Sequence, residues 1–198
     1  MTTSFAVSWD YLCPFARNAH EHVLAALEAG ADWDVRFVPF SLGEARVADG
    51  EPSIFEQADG RHYLYALAAG VTVRDEHPER FAAFHRAMFA ARHEEKRDIR
   101  DDAVVAAVVA EQGLDAPAVA AKFEEAVAKI RDEHRASVAD HAMFGVPTFV
   151  LGDRAVFVRL MDRPGGDPKK GLHAVEGVLR ILEEIPTLNE FKYTKIAR

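Results

Sequence analysis

The residue best suited to nucleophilic chemistry is Cys13, which is the only cysteine among 198 residues. It stands in the stretch CPFA, directly before Pro14, where a β-rich segment gives way to a helical pattern. Proline is favoured at the first position of a helix, because its fixed φ suits the helix and its missing N–H would be unpaired there. The spacing therefore predicts that Cys13 is the N-cap of a helix that begins at Pro14.

A thiol at a helix N-terminus faces unpaired backbone N–H groups and the positive end of the helix dipole, and both stabilise the thiolate. We therefore expect the pKa of Cys13 to lie below the free value of about 8.5. Arg17 and His20 are candidates for further positive charge, although His20 is equally able to point away. The alternative is a buried cysteine that acts only as a small hydrophobic side chain. The position between a strand and Pro14 favours the reactive interpretation.

Two polar residues, Asp10 and Tyr11, precede the thiol at the end of the first predicted strand. Either is placed to orient a substrate or to change the pKa of Cys13, and an unpaired Asp10 carboxylate would raise that pKa. The alternative, which we favour for Asp10, is a set of hydrogen bonds within the turn.

Other polar clusters give weaker signals. The nine histidines include no i, i+4 pair around a glutamate of the kind that metalloprotease helices use, so we predict no metal site and expect surface histidines. The stretch PGGDPKKG at 164–171 lacks the Walker spacing and is predicted to be a flexible surface loop. Its lysines are candidates for contacts with the carboxylates of a small thiol such as glutathione.

The hydrophobic pattern predicts the elements that position Cys13. Strands at about 4–9 and 33–40 flank a helix at about 14–28, which predicts a β-α-β unit with parallel strands and a right-handed crossover. The following segment, about 53–138, is predicted to be helical, with breaks at Gly70, at His77-Pro78 and at 113–117. The stretch GVPTFVLGDRAVFV then predicts a β-hairpin, and 171–185 predicts a closing amphipathic helix.

Composition limits the class of protein. With 49% apolar and 28% charged residues, the chain is typical of a soluble globular protein. Its net charge of −8 argues against nucleic acid and anionic membranes as partners, since both require a basic surface. The start of the sequence shows no basic leader, no apolar run is long enough to span a bilayer, and one cysteine excludes an intramolecular disulfide. We therefore expect a cytoplasmic protein.

The order of elements, together with the motifs CPFA and GVPTF, resembles the DsbA-like branch of the thioredoxin superfamily. The resemblance extends over nearly the whole chain. It implies an α/β fold in which a thioredoxin-like domain at 1–42 and 139–198 is interrupted by an all-helical insertion at 43–138.

The resemblance also implies roles for individual residues. Cys13 would be the attacking nucleophile, and Pro147 would be the family's cis-proline, with the backbone of Val146 offering hydrogen bonds to an extended thiol substrate. The predicted catalytic positions are Cys13, Pro14, Phe15 and Ala16. The predicted substrate contacts are Val146, Pro147, Thr148, Asp10 and Tyr11.

Ala16 departs from the family pattern, since it stands where the second, resolving cysteine is expected. A dithiol enzyme completes its cycle through an internal disulfide, and this chain has no second thiol to form one. The sequence therefore predicts monothiol chemistry, in which Cys13 attacks a mixed disulfide or an electrophile and a small thiol completes the turnover.

No tightly bound cofactor is predicted, and the expected partners are a small-molecule thiol or disulfide. The low-molecular-weight thiol that serves as cosubstrate is mycothiol or glutathione. The C-terminal stretch IPTLNEFKYTKIAR is similar to the tail of actinobacterial mycothiol-dependent DsbA-like reductases and slightly favours mycothiol. A homodimer is left open.

Two alternatives remain at this point. The kappa-class glutathione transferases and 2-hydroxychromene-2-carboxylate isomerases share the inserted thioredoxin architecture, but they usually carry serine at the catalytic position and activate the thiol of bound glutathione. Cys13 argues against them, whereas Ala16 is compatible with both classes. The second alternative is a non-catalytic redox sensor or binding module, whose thiol is capped by a small thiol without turnover.

Overall fold

The computed structural model describes residues 2–195. Its strands are β1 (Thr3–Trp9), β2 (Trp33–Pro39), β3 (Thr148–Leu151) and β4 (Arg154–Phe157). Its α-helices are α1 (Pro14–Glu28), α2 (Tyr65–Glu76), α3 (Pro78–His93), α4 (Asp102–Glu111), α5 (Ala116–Ala121), α6 (Phe123–His141) and α7 (Pro168–Glu184). Short 3₁₀ helices lie at Glu44–Arg46 and Ala58–Tyr63.

The four strands form one mixed sheet in the order β2-β1-β3-β4. Strands β1 and β2 are parallel and are joined by α1, so the predicted β-α-β unit is confirmed. Strand β3 runs antiparallel to both β1 and β4, and the Gly-Asp turn predicted for the hairpin joins β3 to β4. Strands β1 and β3 are neighbours in this order. The start of α1, which follows β1, therefore lies close to the segment that precedes β3.

Both faces of the sheet are covered. Phe5 and Val7 of β1 pack with Val23 of α1 and Val175 of α7 on one face. Ala6, on the opposite face of β1, belongs to the larger core that the helices between β2 and β3 complete. A central strand that is buried on both sides is expected to be mostly apolar, and the buried part of β1, from Phe5 to Trp9, is apolar except for Ser8.

Five α-helices lie between β2 and β3 within the described chain. The breaks predicted at His77-Pro78 and after Gly113 are confirmed, but the break predicted at Gly70 is wrong, because Gly70 lies inside α2. The closing helix α7 begins at Pro168, earlier than predicted, so half of the stretch expected to be a flexible loop is helical and capped by Asp167. Within residues 2–195, no helix has both the length and the apolar character that crossing a membrane requires.

Candidate active site

Cys13 is the N-cap of α1, as the sequence predicts. Its backbone is extended, with φ of −96° and ψ of 117°, and Pro14 occupies the first turn of the helix. The N–H of Ala16 donates a hydrogen bond to the Cys13 sulfur over 3.4 Å. The unpaired N–H groups of the first turn are therefore directed at the sulfur atom.

The segment before β3 forms the other side of the site. The Val146–Pro147 peptide bond is cis, and the Cys13 thiol donates a hydrogen bond to the Val146 carbonyl over 3.2 Å. The N–H of Thr148 donates to the Ser8 hydroxyl over 2.9 Å. These contacts hold the segment against the end of β1 and bring the two predicted motifs, CPFA and GVPTF, together at one sulfur atom.

The predicted direction of the Cys13 pKa shift is wrong for this arrangement. The side chain is 7% exposed, and burial raises the pKa of the thiol above its ordinary value. The N–H groups of Ala16 and Phe15 and the charge of Arg159 act in the opposite direction, while the charge of Asp10 adds to the rise in pKa. The cost of removing the thiolate from water is therefore larger than the stabilisation that the N–H groups at the start of α1 provide.

Asp10 uses both carboxylate oxygens within the fold. Its Oδ1 accepts a hydrogen bond from the N–H of Leu12 over 2.9 Å, and its Oδ2 accepts from the N–H of Leu42 over 2.8 Å. Burial raises its pKa to about 6, against the opposing effect of these two N–H groups. The turn bonds that we favoured are thus present, and Asp10 is 2% exposed, so its carboxylate lies inside the fold and not at a surface where a substrate would contact it.

Tyr11 is buried and bonded to a histidine of α3, which contradicts its predicted role as a substrate contact. Its side chain is completely buried, and its hydroxyl lies 2.8 Å from Nδ1 of His85. His85 Nε2 in turn lies 2.9 Å from His20 Nδ1, and His20 Nε2 lies 3.0 Å from the Ser8 carbonyl. A continuous chain of hydrogen bonds therefore joins α3 to α1 and β1.

The proton positions along this series of hydrogen bonds follow from its last acceptor, the Ser8 carbonyl. The Ser8 carbonyl can only accept, so His20 Nε2 donates to it, and the Nδ1 of neutral His20 accepts from His85 Nε2. His85 Nδ1 then accepts from the Tyr11 hydroxyl. Burial lowers the pKa of His20 to about 4 and holds the pKa of His85 well below 6.5, which keeps both rings neutral.

The prediction of surface histidines is wrong for four of them: His20 and His85 are 0% exposed, His22 is 1% exposed and His134 is 5% exposed. The available signal was periodicity. His20 is four residues after Ala16, and His85 lies four residues from both Phe81 and Phe89, on the buried faces of their helices. His20 forms these hydrogen bonds, and Arg17 interacts with Glu21 and Asn18. Neither is among the main charges that act on the thiol.

Three residues that lie beside the site, Arg159, Phe157 and Phe144, were not predicted from the sequence. Arg159 lies with its guanidinium carbon 5.4 Å from the ring centroid of Phe15 and 5.3 Å from that of Phe157. The ring of Phe157 also contacts the exposed ring of Phe144, at 5.1 Å between centroids. The hairpin register was the available signal, because Phe157 pairs with Thr148, next to the predicted cis-proline.

A helix-capping cysteine facing a cis-proline segment, on this sheet and with helices between β2 and β3, defines a thioredoxin-like α/β protein with a helical insertion. The family model described as the DSBA-like thioredoxin domain matches residues 6–163. The chain belongs to this family, and the predicted resemblance and fold class are confirmed.

Solved structures support the same fold. The cytosolic disulfide reductase DsbM from Pseudomonas aeruginosa is 23% identical, with a TM-score of 0.61 over 90% of this chain and 99% of that one. A second structure of DsbM, with glutathione, is 21% identical, with a TM-score of 0.61 over 89% and 99% of the two chains. A 2-hydroxychromene-2-carboxylate isomerase is 17% identical, with a TM-score of 0.63 over 94% and 100%. Among curated proteins, no sequence matches this chain significantly.

Proposed function

We propose that this protein is a thiol-disulfide oxidoreductase that uses Cys13 as its single nucleophile and a low-molecular-weight thiol as cosubstrate. The observation that carries the proposal is the position of Cys13, whose sulfur is capped by the first turn of α1 and bonded to the Val146 carbonyl beside Pro147. A cytoplasmic setting, where small thiols are kept reduced, suits this chemistry.

The reaction proceeds by two thiol-disulfide exchanges. The Cys13 thiolate attacks one sulfur of a substrate disulfide, forming a mixed disulfide and releasing the other sulfur as a thiolate. A small thiol, as its thiolate, then attacks the substrate-derived sulfur of that mixed disulfide and releases Cys13. The number of disulfides is unchanged, so the cycle needs neither an external oxidant nor a second protein cysteine.

The pKa of Cys13 favours reduction over oxidation of substrates. Strongly oxidising thiol proteins have a stabilised thiolate in their reduced form. Here burial raises the pKa of Cys13 instead, which favours its protonated or disulfide-bonded form over the thiolate. We therefore assign the protein to the reduction of mixed disulfides, with glutathione or mycothiol as the thiol that completes the cycle.

Intact mass spectrometry tests the first exchange. The reduced protein is mixed with glutathione disulfide, and we expect it to gain one glutathionyl group, which an excess of glutathione then removes. The Cys13→Ser variant, which has no thiol, serves as the control and should gain nothing. A wild-type protein that gains no group would refute the proposal, and one whose group is not released by thiols would instead be a sensor.

The Cys13→Ser variant also distinguishes the proposed oxidoreductase from the alternative, a kappa-class glutathione transferase. A kappa-class type of enzyme activates the thiol of bound glutathione, so Cys13→Ser should retain or increase the transfer of glutathione to a chlorodinitrobenzene-type electrophile. A monothiol oxidoreductase needs its own sulfur. We therefore expect Cys13→Ser to show no such transfer activity and no reduction of mixed disulfides.

A further inference from the structure

Arg159 places a positive charge beside the nucleophile. It follows β4 by two residues, and its guanidinium contacts the rings of Phe15 and Phe157. Phe15 belongs to the CPFA motif in the first turn of α1, and Phe157 of β4 is paired with Thr148 of the GVPTF motif, so the two rings lie beside the two motifs that form the site. The charge of Arg159 also acts on the Cys13 sulfur. The guanidinium is therefore close to where a substrate sulfur must approach.

The guanidinium has hydrogen-bonding groups available for a ligand. Arg159 is exposed, and none of the carboxylates in residues 2–195 forms an ion pair with it. The guanidinium carbon lies over the two aromatic rings, and the N–H groups of a guanidinium match the two oxygens of a carboxylate. Other exposed arginines, such as Arg180 on α7, also form no ion pair with the carboxylates that the structure describes, but they are not among the main charges that act on the sulfur.

We propose that Arg159 binds a carboxylate of the small thiol or disulfide, which makes this protein selective for acidic substrates. The inference rests on the proposed function and specifies its substrate class. Glutathione carries two carboxylates, whereas mycothiol, a sugar-linked acetylcysteine, carries none. Arg159 therefore assigns the cosubstrate to acidic, glutathione-like thiols, in contrast to the slight preference for mycothiol drawn from the C-terminal stretch.

The test must separate binding of a carboxylate from a general effect on the thiol. Because Arg159 helps to stabilise the thiolate, its removal would slow attack on every disulfide by the same factor. Loss of a carboxylate contact would instead slow attack on acidic disulfides alone. The charge of the disulfide therefore distinguishes the two roles.

We would measure the rate at which reduced Cys13 forms a mixed disulfide with three symmetric disulfides. These are dithiodipropionate, which is anionic, bis(2-hydroxyethyl) disulfide, which is neutral, and cystamine, which is cationic. For each one, the ratio of wild-type to Arg159→Gln rates cancels the intrinsic reactivity of the disulfide. We expect this ratio to be roughly three- to tenfold larger for the anionic disulfide than for the neutral one, as for an exposed charged pair. Arg180→Gln should leave all three rates unchanged.

The possible results are distinct. A larger ratio for the anionic disulfide that shrinks at high ionic strength supports the inference. Equal ratios for all three disulfides would show that Arg159 acts only on the thiol, which overturns the inference and leaves the proposed function standing. A wild-type protein that forms no mixed disulfide with any of the three would refute the proposed function, and the inference with it.

Discussion

Opposing influences act on a single sulfur atom at Cys13. Burial and the negative charge of Asp10 raise the pKa of the thiol, while the N–H groups at the start of α1 and the charge of Arg159 lower it. The S–H bond to the Val146 carbonyl fits a protonated resting state, because a thiolate cannot donate. Reactivity at this residue therefore depends on how neighbouring charges shift the thiol toward ionisation.

Replacing Asp10 should make the thiol easier to ionise. In Asp10→Asn the charge that raises the pKa of Cys13 is gone, so the midpoint of the pH profile for alkylation by iodoacetamide should move to lower pH. Intact mass reports the reaction directly, since Cys13 is the only thiol. Asp153→Asn, in the exposed hairpin turn, is the control and should keep the wild-type profile. An unchanged midpoint in Asp10→Asn would mean that Asp10 does not influence the thiol.

Restoring the missing second cysteine should change the mechanism. Ala16 is completely buried, and its N–H contacts the Cys13 sulfur. We expect Ala16→Cys to form an internal disulfide with Cys13 on mild oxidation, so that both thiols disappear from a thiol titration and mixed disulfides with glutathione no longer accumulate. Ala90→Cys, on α3, is the control and should leave the mixed disulfide of Cys13 intact. Persistence of that mixed disulfide in Ala16→Cys would contradict the expectation.

At the scale of elements, local signals were sufficient for much of the fold. Pro14 and Asp115 mark helix starts, His77-Pro78 marks a helix boundary, and Gly152 marks the hairpin turn, because each acts through its own backbone geometry. Pairing the motifs of Cys13 and Pro147 came from the family resemblance and not from local pattern. The position of Gly70 inside a helix, the hydrogen-bond partners of the buried histidines and the sign of the Cys13 pKa shift depend on contacts between distant segments, which one sequence does not reveal.

Gly70 is an element-scale example with a measurable consequence. A Cβ atom at Gly70 would lie 2.6 Å from the Tyr11 hydroxyl, which the bond to His85 holds in place. Gly70→Ala should therefore lower the free energy of unfolding by about 1–3 kcal/mol, despite the better helix propensity of alanine. Gly177→Ala, in α7 with open space around its Cβ position, should raise it by about 0.5–1 kcal/mol. Denaturation in urea measures both, and a stabilised Gly70→Ala would show that Tyr11 can move.

At the scale of the whole molecule, the buried chain from Tyr11 to Ser8 connects the inserted helices with the sheet. Its histidines are neutral, and burial lowers the pKa of His20 from 6.5 to about 4. Between these pH values the unfolded chain binds a proton that the folded protein does not, so stability rises with pH. His85, whose pKa burial also lowers well below 6.5, acts in the same direction. Acid therefore lowers the stability of the folded protein through these two histidines.

Asp10 changes the stability of the folded protein with pH in the direction opposite to the two histidines. Burial raises its pKa from 3.8 to about 6, so across that range the folded protein keeps a proton that the unfolded chain has released, and stability falls as the pH rises. Asp10→Asn removes this opposing contribution. Each pKa unit corresponds to about 1.4 kcal/mol, so the gain in unfolding free energy between about pH 4.5 and about pH 7 should be about 2 kcal/mol larger in Asp10→Asn than in the wild type.

Urea denaturation at the two pH values measures this difference. Asn at position 10 keeps only one acceptor for the two N–H groups of Leu12 and Leu42, so the variant should be less stable at both pH values. The readout is therefore the change with pH, not the absolute stability. Asp153→Asn should reproduce the wild-type change. Parallel curves for Asp10→Asn and the wild type would show that Asp10 has the same pKa in the folded and unfolded chain, in which case its two N–H contacts offset the whole cost of burying its charge.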